Sequence, residues 1–343
     1  MSSDNLPTDN RLTTDDFDDD PLKYRHTEDL VQTIRDYAEK LLHDGTTRGD
    51  LKILSRTLRE LRYAFKVFAP YRARRKVTVF GSARTLPDAP AYKQAMEFGR
   101  EMASRKWMVI TGAASGIMEA GHRGAGRDHA MGLNIMLPFE QSANEIIAGD
   151  AKLVHMKYFF TRKLMFVKEC DAVVCLPGGF GTLDEALEVL TLLQTGKHDM
   201  IPVVFLDAPG GVFWQSLHNF FNEHLLAGQM ISAEDKHLYR VTDSIGDAIQ
   251  ELTHFYRVYH SMRYVKHRLV FRLNQKLTDA QLEEINATFA EILTDGNFVQ
   301  SGPLTGEQDE PQLAQLSRLI FRFNRRNLGR LRQLINHLND LPS

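Results

Sequence analysis

The pattern of apolar positions changes near residue 76. Before it, apolar side chains recur every three or four residues over about 27–43 and 50–69, which predicts two amphipathic helices. After it, short apolar runs alternate with helical patterns. The predicted strands are 77–80, 107–110, 132–137, 153–155, 171–176 and 201–206, and the predicted helices between them are 91–104, 116–126, 159–169 and 183–195. This alternation predicts an α/β fold, a Rossmann-like doubly wound parallel sheet flanked by helices.

The remaining patterns complete the predicted domain organisation. Amphipathic stretches at 212–227 and 243–262 are interpreted as helices that cover the sheet. After residue 262 the order β-α-β-β-α predicts a small α+β domain, with strands at 267–273, 297–300 and 316–324 and helices at 278–294 and 327–339. The predicted parts are therefore a tail at 1–22, a helical segment at 23–75, the Rossmann-like domain at 76–262 and the α+β domain at 263–343.

Composition narrows the class of protein. The chain has 343 residues, 43% of them hydrophobic, and a net charge of −2, which argues against an overall nucleic-acid binder. Residues 1–20 contain seven Asp and few large apolar side chains, so we expect a disordered acidic tail. No apolar run has the length of a membrane span, and the first residues lack the features of a signal peptide, so we expect a cytoplasmic protein. Cys170 and Cys175 are interpreted as buried small hydrophobes of a reducing compartment.

The stretch from Leu176 to Glu185 carries the first candidate chemistry. It follows a buried-strand pattern and precedes a helical one, so it is a strand, a glycine turn and a helix start. Gly178, Gly179 and Gly181 would leave peptide N–H groups open to a ligand, with the positive end of the helix dipole behind them. Such a turn suits a phosphate, and the Thr182 hydroxyl adds a further donor.

Two other interpretations of this stretch stay open. Thr182 and Glu185 fit a capping box, which would stabilise the helix start without any ligand. Gly179 and Gly181 also fit part of a dinucleotide fingerprint, with Asp207 near the position of a ribose-binding acid, but Asp184 stands where the third glycine should be.

Four loops are expected to meet in one crevice, because each follows a predicted strand of the same parallel sheet. The loops are 81–84, 111–116, 138–140 and 177–182. Taken singly, each could be an ordinary strand-to-helix turn, and this is the favoured interpretation of 138–140. Two glycine-bearing loops at one edge favour a binding site.

Several segments resemble the LOG family of nucleoside 5′-monophosphate phosphoribohydrolases, in a long form with N- and C-terminal extensions. Residues 177–185 match its signature PGGxGTxxE, and the resemblance extends over roughly residues 76–260. Residues 111–120 resemble its second loop through Gly112 and Met118, although Ala113, Ala114 and Ser115 replace commoner glycines and narrow the space for a ligand. Ser82 and Arg84 resemble its first loop, and Arg162-Lys163 its RK-x-x-M segment.

The resemblance implies catalysis by Glu185 and Arg162, with nucleotide contacts from Ser82, Gly112, Met118, Lys163 and the glycine turn. The expected reaction cleaves the N-glycosidic bond of a nucleoside 5′-monophosphate, because a carboxylate stabilises the cationic ribose or activates water. Arg162 would hold either the phosphate or the departing base. The products would be a free base and ribose 5-phosphate, with no metal or organic cofactor, in a homodimer or larger homo-oligomer.

Other functions stay open. A nucleotide-binding carrier or sensor on the same fold is the main alternative, a dinucleotide oxidoreductase is a further one, and Arg162 and Lys163 could simply form a solvated helix face. The C-terminal part also has a basic end. We interpret that end as a solvated or tail-neutralising face, with an anionic effector as the alternative, and it comprises Arg318, Arg322, Arg325, Arg326, Arg330 and Arg332.

Overall fold

The computed structural model describes residues 27–136 and 143–342. Two helices precede the sheet, as the apolar pattern predicts: α1 spans Thr27–Lys40 and α2 spans Arg48–Phe68. A capping box between Thr47 and Asp50 starts α2 by satisfying two backbone N–H groups. The predicted acidic tail at 1–22 lies outside the described residues. No helix of the described ranges is long and apolar enough to cross a membrane.

The central sheet confirms the predicted fold class. Its seven strands lie in the order β4-β3-β2-β1-β5-β6-β7, and every neighbouring pair is parallel. The strands are β1 (Lys76–Phe80), β2 (Met108–Thr111), β3 (Ala130–Ile135), β4 (Leu153–Met156), β5 (Ala172–Cys175), β6 (Val203–Leu206) and β7 (Arg240–Thr242). The flanking helices are α3 (Pro90–Ser104), α4 (Ile117–Ala125), α5 (Phe159–Lys168), α6 (Phe180–Gln194), α7 (Phe213–Phe220) and α8 (Ile245–His254).

The sheet is buried on both faces, which explains why its strands are nearly continuous apolar runs. Every residue of β1, β2, β3, β5 and β6 is buried. Val77 and Val174 pack on one face, and Phe80 and Cys175 pack on the other. Both cysteines are buried, in agreement with the sequence-based interpretation. Helix α7 continues as a π-helical turn over Phe221–Leu226.

The C-terminal part corrects one prediction. The helix predicted to extend to residue 262 ends at His254, and its last residues form a strand of a four-stranded antiparallel sheet ordered β10-β11-β9-β8. These elements are β8 (Tyr259–Val265), β9 (Arg268–Leu273), α9 (Asp279–Thr288), β10 (Val299–Ser301), β11 (Ser317–Phe321) and α10 (Leu328–Asp340). The apolar spacing of 255–262 fits a helix as well as a strand, and pairing with β9 decides the outcome.

The predicted basic end is a solvated face only in part, since Arg322, Arg325 and Arg326 are exposed and two other arginines are buried. Arg318 and Arg332 are buried, 1% and 4% exposed, and they pair with Glu307 and Glu251. Further arginines of this group also have local partners: Arg322 pairs with Asp295, Arg330 pairs with Glu291 and Arg325 lies over the Tyr264 ring. Four of the six arginines therefore pair with acids in the part of the chain that the structure describes.

Candidate active site

A cavity of about 1060 Å³ lies at the carboxyl edge of the central sheet. The loops after β1, β2, β3 and β5 contribute to it, together with the first turns of α5 and α6. Most of the predicted site residues line it, namely Ser82, Gly112, Met118, Arg162, Gly179, Gly181, Thr182 and Glu185. The predicted turn at 138–140 lies outside the described residues.

The glycine turn starts helix α6 earlier than predicted. The helix begins at Phe180 with Gly179 as its N-cap, and no side chain of the described residues caps it. Thr182 and Glu185 lie inside the helix, so the capping-box interpretation is wrong. The Thr182 N–H donates to the Gly179 carbonyl at 3.0 Å. The N–H groups of Phe180 and Gly181 lie in the first turn, where no intrahelical carbonyl can accept their hydrogen bonds.

The three glycines of the turn have different roles. A Cβ at Gly178 would lie 2.2 Å from Thr182 Oγ1 and 2.9 Å from the Ser82 backbone nitrogen, so only glycine fits there. A Cβ at Gly179 or Gly181 would have no described neighbour within 4 Å. Gly178 therefore lets the turn pack against the first loop, while the other two leave the helix start open to the cavity.

The second loop differs from the expectation at Ala113. Its backbone φ is +59°, a left-handed conformation that usually favours glycine, and its methyl group packs with Ala130, Ile147 and Leu153. Of the three replaced positions, Ala114 and Ser115 line the cavity. The Ala113 methyl group thus fills an apolar cluster beside the cavity, so the expected narrowing does not arise at this residue.

Glu185 and Arg162 face the same cavity from different helices. Glu185 is 5% exposed, and its Oε2 has no hydrogen-bond partner in the part of the chain that the structure describes. Burial raises the pKa of Glu185, although Lys163 and Arg162 oppose the shift. Arg162 lies over the rings of Phe159 and Phe166, at 5.0 and 5.5 Å from their centroids.

Arg162 also has unused hydrogen-bonding capacity. Its Nε is buried and has no partner within residues 27–136 and 143–342. Burial lowers the pKa of Arg162, and the charge of Glu185 opposes this shift. Gly112 makes room for the Met118 side chain, because a Cβ there would lie 2.7 Å from Met118 Sδ, whereas Arg162 Nη1 would lie at an ordinary contact distance of 3.7 Å. A guanidinium and a carboxylate are thus available to one ligand.

Lys163 is placed differently from its neighbour. Its ammonium nitrogen lies 2.8 Å from Asp184 and 2.9 Å from Glu188, both on α6, and 3.6 Å from Glu185 Oε2. It lines an adjacent pocket of about 890 Å³ and not the cavity described above. The geometry therefore gives no support to the predicted contact of Lys163 with the nucleotide. Lys163 instead links α5 to α6 beside Glu185 through these salt bridges.

Asn144 is a cavity residue that sequence reasoning missed. Its Nδ2 donates to the Ala114 carbonyl at 3.1 Å and lies 3.3 Å from His122 Nδ1. His122 Nε2 lies 2.9 Å from the Met131 carbonyl, which can only accept, so Nε2 carries the proton and Nδ1 accepts from Asn144. Asn144 Oδ1 is buried and has no partner among described residues, so it can accept a hydrogen bond from a ligand.

His122 is itself a buried neutral group. Burial lowers its pKa from 6.5 to about 4, although the hydrogen bond to the Met131 carbonyl opposes this shift. No sequence signal marks His122 or Asn144. Asn134, which also lines the cavity, could have been found as the polar residue inside the otherwise apolar strand predicted at 132–137.

Asp207 has a structural role. It is 3% exposed, and its Oδ2 accepts a hydrogen bond from the Trp214 N–H at 2.8 Å at the start of α7. It does not belong to the described residues that line the cavity. Asp207 is therefore not placed to bind a ribose in this cavity, as the dinucleotide interpretation requires.

Fold and cavity together define a Rossmann-like α/β protein with a ligand crevice at the carboxyl edge of its parallel sheet. A family model described as "Possible lysine decarboxylase" matches residues 110–252. The LOG1 cytokinin riboside 5′-monophosphate phosphoribohydrolase of Arabidopsis thaliana is 32% identical over 169 residues, which are 47% of this chain and 75% of that protein. The chain belongs to the LOG family.

Two further comparisons also cover about half of this chain. The probable cytokinin riboside 5′-monophosphate phosphoribohydrolase LOG4 of Oryza sativa subsp. japonica is 29% identical over 187 residues, 52% of this chain and 76% of that protein. A solved molybdenum cofactor binding protein from Rippkaea orientalis is 22% identical, with coverage of 52% of this chain and 94% of that one. Its TM-score of 0.37 is too low to inform the function of this chain.

Proposed function

We propose that this protein hydrolyses the N-glycosidic bond of nucleoside 5′-monophosphates and releases a free base and ribose 5-phosphate. The observation that carries the proposal is that Glu185 and Arg162, each with a buried polar atom that makes no hydrogen bond within the described residues, line one cavity with the start of α6. The names of the curated relatives, which are phosphoribohydrolases of a cytokinin riboside 5′-monophosphate, support the same reaction class.

The start of α6 suits the 5′-phosphate. The N–H groups of Phe180 and Gly181 lie at the positive end of the helix dipole, and the cavity is open beside Gly179 and Gly181. Contacts to the phosphate, which is remote from the breaking bond, would orient the ribose toward Glu185.

Glu185 would act on the ribose. Cleavage of the N-glycosidic bond builds positive charge on the sugar, and a carboxylate stabilises that charge or takes a proton from the attacking water. Burial raises the pKa of Glu185, which makes its carboxylate a stronger base, while Arg162 and Lys163 favour its charged form. Arg162 would bind the phosphate or the departing base and hold the substrate beside that carboxylate.

The family and the residues that line the cavity support one substrate class. We propose AMP-like nucleotides, with cytokinin riboside 5′-monophosphate as the finer alternative that the curated relatives' names suggest. Asn144 Oδ1 would accept a hydrogen bond from the nucleotide, since its Nδ2 is already engaged with Ala114 and His122.

The test is direct measurement of base release. Wild-type protein is incubated separately with AMP, CMP, GMP, UMP and a cytokinin riboside 5′-monophosphate, and free base is measured by chromatography. Glu185→Gln should abolish release, because the amide keeps the shape but cannot act as a base. Glu188→Gln is the matched control on the same helix, with a side chain 41% exposed, and should retain activity. Release by Glu185→Gln at the wild-type rate would refute the assignment.

A homo-oligomer is proposed as the working unit. Helix α1 has no buried residue within the described structure, and its apolar side chains at Leu30, Val31, Ile34 and Tyr37 are 48–63% exposed. A stripe of this kind needs a partner surface. Sedimentation should show a dimer or larger species, and a monomer at micromolar concentration would contradict this part of the proposal.

A further inference from the structure

Glu60 of the N-terminal helical segment lies at the start of the helix that carries Arg162. Glu60 is a charged residue of α2, and its side chain is buried. The other buried residues of this helix are Ala64 and Phe68. Glu60 Oε1 accepts from the backbone N–H of Lys157 at 2.9 Å, and its Oε2 accepts from the Thr161 hydroxyl at 2.8 Å. A carboxylate from outside the Rossmann-like sheet thus meets the first turn of α5.

Helix α5 lacks a cap of its own. Its N-cap residue is Tyr158, and no side-chain cap from the described residues is formed there. The first N–H groups of a helix have no intrahelical acceptor, and the dipole favours a negative charge at this end. Burial raises the pKa of Glu60, but hydrogen bonds from Arg56, Thr161 and the backbone of residues 157 and 158 outweigh it and keep the group ionised. Glu60 therefore places a negative charge at this end of the helix, where it accepts from the Lys157 N–H just before the N-cap residue and from the Thr161 hydroxyl.

The position of Arg162 depends on this helix start. Arg162 is the fourth residue of α5, follows Thr161 directly, and donates its backbone N–H to the Tyr158 carbonyl at 3.3 Å. Its Nε has no side-chain or backbone acceptor in residues 27–136 and 143–342. The guanidinium is thus held largely by its helix and by the rings of Phe159 and Phe166, which belong to the same helix.

We propose that Glu60 is a positioning residue, which fixes the first turn of α5 and through it the direction of the Arg162 guanidinium in the cavity. This inference rests on the proposed function. It gives the N-terminal segment a role in the reaction, since Glu60 of α2 contacts the start of the helix that carries Arg162.

The variant Glu60→Gln tests this role because it removes the negative charge and keeps a side chain of the same shape at position 60. The amide oxygen can still accept from Lys157, and the Thr161 hydroxyl can turn its hydrogen to the Tyr158 carbonyl, which lies 2.9 Å away. The negative charge at the helix start is lost. We expect kcat for AMP hydrolysis to fall about five- to tenfold, with a smaller change in KM. Glu101→Gln, which removes an exposed ion pair with Arg105 at the same i,i+4 spacing, should leave kcat unchanged.

A double-mutant cycle with Arg162→Lys separates positioning from simple stabilisation. If Glu60 acts through Arg162, Glu60→Gln should cause little further loss of kcat/KM in the Arg162→Lys background. An equal loss in both backgrounds, or unchanged kcat in Glu60→Gln, would overturn the proposal. Thr161→Val, which removes one of the two contacts from the α5 side, should reproduce part of the loss.

A ligand-free measurement keeps this test independent of the reaction. The Arg162 Nε–H resonance is identified in ¹H–¹⁵N spectra as the signal that Arg162→Lys removes. Glu60→Gln should shift it, and Glu101→Gln should not. If the wild-type protein releases no base from any nucleotide, the proposed function fails, and this resonance alone decides whether Glu60 positions Arg162. An unchanged resonance in Glu60→Gln would then refute the inference.

Discussion

The buried carboxylate of Glu307 gives the sharpest prediction about stability. Its side chain is 0% exposed and lies between the guanidinium groups of Arg272 and Arg318, which are 3% and 1% exposed. Both Nε–O distances are 2.9 Å, and the Leu304 N–H donates to Glu307 Oε2 at 3.0 Å. Glu307→Gln keeps the shape of the side chain and removes the carboxylate that Arg272 and Arg318 share, although Arg272 keeps its second pair with Glu310.

The expected cost is about 3 kcal/mol in the free energy of unfolding. Breaking a buried ion pair typically costs about 3–5 kcal/mol, because the remaining charge stays desolvated. The Gln oxygen still accepts one hydrogen bond, which places the variant at the low end of that range. Glu291→Gln is the control, since its pair with Arg330 has side chains 51% and 27% exposed. An exposed pair contributes less than about 1 kcal/mol.

The free energy of unfolding of both variants is measured by urea unfolding, monitored by circular dichroism, at pH 7 and at lower pH. Burial raises the pKa of Glu307, but hydrogen bonds from Arg318, the Leu304 N–H and Arg272 outweigh it, so the folded pKa lies below the unfolded one. The stabilisation is therefore complete above the unfolded pKa of about 4.3 and is lost as the pH falls through the folded pKa. A difference from wild type below about 1 kcal/mol at pH 7, or one unchanged at pH 3, would refute this reasoning.

Three further outcomes are expected. Gly178→Ala, whose Cβ would lie 2.2 Å from Thr182 Oγ1, should lower both AMP affinity and stability, the latter by about 1–3 kcal/mol, as measured by calorimetry and urea unfolding. Asn144→Leu removes the unpartnered cavity acceptor and should weaken AMP binding about tenfold by calorimetry, whereas unchanged affinity would exclude the contact. His122, with its pKa lowered to about 4, should bind no proton in the folded state near pH 5.5, although the unfolded chain does. Stability should therefore fall between pH 6.5 and 4 by up to roughly 3 kcal/mol, and a His122 ring that titrates near 6.5 by NMR would contradict this.

The fold was predictable where burial shaped the sequence. Strands such as β1 and β5 are covered on both faces, so they are apolar throughout and stand out from the amphipathic helices between them. Strand β7 was not predicted because it is a three-residue edge strand with one apolar residue. The first residues of β8, up to 262, were interpreted as the end of a helix, because their local pattern fits a helix and the pairing with β9 that makes them a strand is a tertiary interaction.

The candidate site was predictable where its chemistry is local. The glycine turn carries its own signal, because Gly178 is required by a close approach and Gly179 leaves the helix start open. Arg162 and Glu185 were identified through the family resemblance. The salt bridges of Lys163 and the contact between Glu60 and α5 join residues distant in sequence or on different helices, so no local pattern could have revealed them.

A crystal structure of the Glu185→Gln variant with bound AMP tests the central claim most directly. The proposal predicts the phosphate on the N–H groups of Phe180 and Gly181, the ribose beside the side chain at position 185, and the Arg162 guanidinium in contact with the same nucleotide. AMP bound away from the start of α6, or in a position where position 185 and Arg162 do not both reach it, would contradict the proposal.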